Sequence, residues 1–200
     1  MQVFKRIALA VSIVISSFLV ISCTEVPITG RQQLNIVPDE SLNQMAAESY
    51  RQFMQENKIS DNAAQRAMVN EVGTDVAAAV EEYARRNDLP DILDYNWEFN
   101  LIEDDAVNAW AMPGGKVVVY EGIMDVAGDR AGLAVVMAHE IAHVVAEHGS
   151  ERVSQQLLVQ AGGIALSSLV GDPQTREIVL QSYGGGAQYG VILPYSRVQE

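Results

Sequence analysis

Between Tyr95 and Tyr120 the apolar residues of this 200-residue chain change their period, and that change limits the folds open to it. Upstream, Leu42, Met45, Ala46, Tyr50, Phe53 and Met54 recur at helical spacing up to about Asn57, behind Pro38 and a candidate N-cap at Asp39. A second helical stretch starts near Asp61. Its apolar stripe is Ala64, Met68, Val72, Val76, Ala79, Val80 and Tyr83, and Asn87 to Pro90 end it. Then Tyr95, Trp97, Phe99 and Leu101 alternate with Asn96, Glu98 and Asn100, the pattern of a half-buried strand. Asn108 to Met112 and Lys116 to Tyr120 flank Pro113-Gly114-Gly115, which reads as a hairpin or a tight β-connection. Helical spacing then returns from Asp129 to His148 and from Ser150 to Leu169, and Asp172-Pro173 offers an N-cap with proline at the first helical position of another helix running to about Ser182. Helices on both sides of a short run of strands predict an α+β domain, predominantly helical, with a small sheet. Gly149-Ser150 is placed to break or kink the first of these later helices. Gly184-Gly185-Gly186 reads as a flexible loop, either a flap or a linker, and Pro194-Tyr195-Ser196 as the start of one more helix.

The first 22 residues stand apart from this pattern. Lys5 and Arg6 precede an apolar run from Ile7 to Ile21 that is broken only by serines, which suits a signal segment better than a membrane span. The run closes on Val20-Ile21-Ser22-Cys23, which resembles the lipobox of bacterial lipoproteins. The resemblance implies cleavage before Cys23 and lipid on that residue; the alternative is an uncleaved anchor with an incidental cysteine. Thr24 stands where an inner-membrane retention signal carries Asp, so the resemblance favours the outer membrane, facing the periplasm. Residues 24–38 carry two prolines and a glycine and read as a tether. Cys23 is the only cysteine, so no internal disulfide is available and the domain must be held by its core. The formal charge of −13 excludes a nucleic-acid partner, which would need a basic surface. It also gives anionic headgroups nothing to attract, leaving membrane attachment to the lipid.

Residues 138–149 read AHEIAHVVAEHG. On a helix, side chains four apart share a face with Cβ atoms roughly 5–6 Å apart, so the imidazoles of His139 and His143 can converge on one zinc ion. Glu140 is rotated roughly 100° from His139. It is badly placed to join them as a ligand but well placed to take a proton from water that zinc has brought to a pKa of about 7. Leu133, Val135, Val136, Met137, Ile141, Val144 and Val145 make the stretch apolar over most of its circumference, which predicts a buried helix whose polar residues need partners. The alternative is a satisfied pair of core histidines. On a continuous helix His148 would lie roughly 140° around from His143. It therefore reads as a surface or helix-end residue, where a positive charge would suit a helix C-terminus.

Three segments occur in a familiar order: Asn108-Ala109-Trp110-Ala111-Met112-Pro113-Gly114-Gly115, Ala138-His139-Glu140-Ile141-Ala142-His143, and Pro194-Tyr195-Ser196-Arg197-Val198-Gln199-Glu200. Together they resemble the HtpX/Oma-type zinc metallopeptidases. Pro27-Ile28-Thr29-Gly30-Arg31, following the lipobox cysteine, is similar to the periplasmic lipoprotein branch of that group. The resemblance implies a zincin-like fold and one zinc per chain, held by His139, His143 and a glutamate in a Glu-x-x-x-Asp pattern that falls on Glu200. Glu140 would be the general base. It implies too that relatives continue beyond the position where this chain stops. Asn108 to Met112 would be an edge strand beside the metal cleft, with Asn108 and Ala109 touching an extended substrate; the alternative is an ordinary strand with Trp110 in the core. Arg197 is a candidate to pair with a carboxylate near the metal, or else faces solvent. The implied activity is an endopeptidase for unfolded or misassembled cell-envelope proteins. A non-catalytic, client-binding lipoprotein is the rival reading.

Overall fold

The computed structural model describes residues 23–26 and 30–188. In chain order the elements are β1 (Cys23–Glu25), β2 (Gln32–Leu34), α1 (Asp39–Glu56), α2 (Ala63–Arg86), α3 (Pro90–Leu93) and β3 (Glu98–Ile102). They continue with β4 (Ala109–Met112), β5 (Lys116–Tyr120), α4 (Glu121–Ala127), α5 (Arg130–Val145), α6 (His148–Leu169) and α7 (Pro173–Ala187). The expected α+β class, mostly helical with a small sheet, is the class observed. Residues 38–149 form one compact unit, and the described residues on either side of them form another. The signal segment, the helix start at Pro194, Arg197 and Glu200 lie outside the described residues.

The sheet of the first unit has the order β3-β5-β4, with β3 parallel and β4 antiparallel to the central strand. Val117, Val118 and Val119 on β5 are completely buried, as a strand covered on both faces requires. The period of two sends Phe99, Leu101, Ala109, Val117 and Val119 to one face, against Val69 and Val72 of α2 and Leu133, Met137 and Ile141 of α5. It sends Val118 and Trp110 to the other, against Tyr50 and Phe53 of α1. Trp110 meets Phe53 edge to face at 4.9 Å, so a half-buried tryptophan packed against the core and an edge strand coexist in β4. Pro113-Gly114-Gly115 makes the expected hairpin, and both glycines adopt the left-handed conformation it needs, with φ of 82° and 84°.

Two helix readings need correcting. Asp39 is not a cap: Pro38 occupies that position with no side-chain bond, and Asp39 and Glu40 sit in the first turn of α1, where their charge complements the helix dipole. The buried face of α2 is Val69, Val72, Gly73, Ala77 and Ala84, while Ala64, Ala79 and Tyr83 of the expected stripe stay exposed. Small residues decide this. A Cβ on Gly73 would lie 2.4 Å from the Phe99 ring, so the helix approaches β3 closely where it has no side chain.

Burial in this unit has a pH signature. Tyr50 is pushed up to about 12, first by burial and then by the charge of Glu98, against a hydrogen bond from Asn100 that pulls it down. Tyr95 also rises to about 12, through burial and then the charges of Glu147, Asp39 and Asp91. A phenol ionises near pH 10 in the unfolded chain. In the fold both stay protonated longer, so their stabilisation is complete below about pH 10 and is lost between about 10 and 12. An alkaline absorbance titration should show late-ionising phenols, and Tyr50→Phe should remove one of them.

In the second unit β1 and β2 pair antiparallel, Cys23 opposite Leu34. The expected tether is thus partly a hairpin, and it is bonded to the start of α6. Arg31 grips the buried Glu151 with two hydrogen bonds of 3.0 and 2.5 Å, and the backbone N–H of Ile36 donates to Ser154 Oγ at 2.9 Å. Ser150 Oγ donates to Asn35 Oδ1, and these partners allow the polar side chains of Ser150, Glu151 and Ser154 to be buried. Asp172 caps α7 as expected, accepting from Thr175 N–H at 2.7 Å. The helix does not stop near Ser182, however. It runs through Gly184-Gly185-Gly186 to Ala187, with the carbonyls of Gly184 and Gly185 accepting from Gln188 N–H. Once nucleated, each further residue adds a bond, which offsets a cost of roughly 1 kcal/mol per glycine. The flap or linker expected there is therefore helix. None of the described helices is long and apolar enough to cross a membrane.

Candidate metal centre

Helix α5 opens with Asp129, whose Oδ1 accepts from Gly132 N–H at 2.9 Å. Leu133, Met137 and Ile141 then follow at spacings of four, all fully buried. That stripe turns His139, Glu140 and His143 away from the core. His139 is exposed, while Glu140 and His143 are half-buried. The expectation of a helix buried all round is overturned, because Val135 on the outer side is 71% exposed. Its apolar composition marks no inward face.

The two imidazoles meet on the outer face of the helix. Their Nε2 atoms are 3.0 Å apart, and the rings stand nearly perpendicular, at 87°. Two nitrogens held at about 2.0–2.1 Å by a tetrahedral zinc would be about 3.3 Å apart. The pair therefore fits such an ion with a displacement of a few tenths of an ångström, and nitrogen donors suit zinc. Among the described residues no group of three or more His, Cys, Asp and Glu side chains is gathered as a metal site.

The helix ends sooner than the sequence suggests. The break falls at Ala146 and Glu147, before Gly149-Ser150, and Glu147 adopts φ of 55°. His148 opens α6 instead of closing α5, so a positive charge there would oppose the helix dipole. Far from facing away, its Nδ1 lies 2.7 Å from Nδ1 of His143. Sequence reasoning missed this contact because no glycine or proline marks the turn that makes it.

Strand β4 packs beside α5 at the edge of the sheet. Asn108 C=O accepts from Tyr120 N–H at 3.1 Å, and Asn108 N–H donates to Ala106 C=O at 3.0 Å. The main-chain groups of Asn108 are thus engaged. Alternation from that bond turns the N–H and C=O groups of Ala109 and Ala111 away from β5, toward the open edge.

Comparison with known proteins follows the same segments. The family model described as Peptidase family M48 matches residues 70–200, which include β4, α5 and the C-terminal residues. The mitochondrial metalloendopeptidase OMA1 of Schizosaccharomyces pombe is 31% identical over 176 residues, covering 88% of this chain and 48% of the relative. The human metalloendopeptidase OMA1 is 26% identical over 147 residues, 72% of this chain and 27% of its own length. The β-barrel assembly-enhancing protease of Yersinia pestis is 31% identical over 103 residues, 48% of this chain and 21% of that protein. The chain thus spans less than half the length of these relatives. With the family model covering well over half of the residues and the paired histidines lying inside the match, the chain belongs to Peptidase family M48.

Proposed function

We propose that this chain carries the catalytic unit of a zinc-dependent endopeptidase, with zinc held by His139, His143 and Glu200. The observation that carries the reading is the pair of Nε2 atoms 3.0 Å apart on the outer face of α5. When bound, zinc would supply Lewis acidity, bringing the ionisation of water to about pH 7. Glu140 takes the proton of the water that attacks the peptide carbonyl carbon. It then delivers that proton to the amide nitrogen as the C–N bond breaks, so the carboxylate is regenerated. Ala109 and Ala111 offer their backbone groups to an extended substrate segment, and Asn108 can add only its side chain. Such pairing favours extended chains over folded ones, so unfolded or misassembled chains are the proposed substrates. The name of the Yersinia relative, which speaks of β-barrel assembly, supports cell-envelope proteins among them.

The test is cleavage of an unfolded protein by the full chain, with chelator and then with zinc restored. Cleavage that stops and returns supports the reading; cleavage indifferent to chelator overturns it.

Attachment to the periplasmic face of the outer membrane through lipid on Cys23 belongs to the same proposal. The lipobox-like Val20-Ile21-Ser22-Cys23 supports it. Cys23→Ser should move the protein from the membrane to the soluble fraction and abolish labelling by a radioactive fatty acid.

A further inference from the structure

The contact between His143 and His148 is not needed to bring Nε2 of His143 to Nε2 of His139, yet the backbone goes out of its way to make it. A continuous α5 would carry His148 roughly 140° around from His143. Instead the helix closes with Ala146 N–H on Ala142 C=O and Glu147 N–H on Val144 C=O, at 2.9 and 3.0 Å. Glu147 then takes the left-handed conformation, φ 55°, which sterics disfavour for any residue but glycine. Such strain persists where the surroundings over-determine it, and it gathers at functional sites. The result is a row of three imidazoles. His139 meets one nitrogen of His143, and His148 meets the other with its ring tilted at 54°.

Given that His143 holds the metal, a reading on which this inference rests, we propose that His148 is its positioning residue. A ligand nitrogen must offer its lone pair, so Nε2 of His143 carries no proton and Nδ1 does. Of two Nδ1 atoms 2.7 Å apart, one donates and the other accepts. His143 Nδ1–H therefore donates to His148 Nδ1, and His148 keeps its proton on Nε2. This bond fixes both the tautomer and the rotation of the His143 ring with Nε2 directed at the metal. Outer partners of metal-bound histidines commonly have this role, and losing one costs roughly 10–100-fold in metal affinity. The usual partner is a carboxylate, a carbonyl or water; here it is a second imidazole, brought in by a strained turn.

The experiment is a zinc titration against a chromogenic chelator on the full chain, in the wild type, His148→Ala and His148→Asn. Asparagine places its Oδ1 close to where histidine has Nδ1, so it restores an acceptor without restoring the ring. The nitrogen NMR signals of the metal-free protein at fixed pH report the His143 tautomer. Zinc affinity should fall roughly 10–100-fold in His148→Ala and return to within a few-fold of wild type in His148→Asn. His143 should be held as the Nδ1–H tautomer in the wild type and in His148→Asn only. Unchanged affinity in His148→Ala, or His148→Asn as weak as His148→Ala, overturns the positioning role while leaving the metal site standing. A wild type that binds no zinc overturns the underlying metal reading, and this inference with it.

Discussion

Replacing Glu140 by glutamine is expected to abolish cleavage of an unfolded substrate, with a loss of about 10²–10⁴-fold in kcat. Glutamine has nearly the same shape and keeps a carbonyl oxygen, but it cannot take a proton from water near neutral pH. His139 and His143 are untouched, so zinc content should be unchanged. The variant also separates the two classes of function, because a client-binding protein that cuts nothing has no use for a base. Binding of an unfolded client should survive in Glu140→Gln, since β4 would hold it through backbone groups. A variant that still cleaves at the wild-type rate would remove Glu140 from the chemistry. Loss of zinc together with activity would make it part of the metal's support instead of the base.

The second large effect is on stability. Ile141→Ala should destabilise the unit formed by residues 38–149 by about 2–5 kcal/mol. Ile141 is fully buried beside Met137, in the cluster that joins α5 to the sheet and α2. Truncating it leaves a cavity that close packing cannot heal, a large part of a total stability of roughly 5–15 kcal/mol. Val135→Ala on the same helix should change stability by less than about 0.5 kcal/mol, because Val135 is 71% exposed. Urea denaturation of the two variants beside wild type measures the difference. Equal losses would mean that α5 is covered on both sides.

That contrast also marks what could be read from the residues. Valine and isoleucine are equally apolar in a sequence, and a stretch as apolar as 133–145 hides which side faces the core; only the neighbours decide it. The same limit explains α2, where Gly73 belongs to the buried face because Phe99 of β3 approaches it closely. Where local chemistry dominates, the reading held. Asp172 caps a helix, Pro113-Gly114-Gly115 turns a hairpin, and a spacing of four brings His139 to His143. Glu147 shows the opposite case. Glutamate is an ordinary helix former, and nothing in its type announces the left-handed turn that returns His148 to the site. Gly184-Gly185-Gly186 failed in the other direction, since a capped and propagating helix absorbed residues whose type argues for a loop.

The most direct test is crystallographic: anomalous diffraction at the zinc edge from the full chain grown with one equivalent of zinc. The expected result is a single peak about 2.0–2.1 Å from Nε2 of both His139 and His143, with the Glu200 carboxylate in the same shell. A peak elsewhere, or no peak with the two imidazoles still facing each other, would contradict the assignment of this helix as the metal centre.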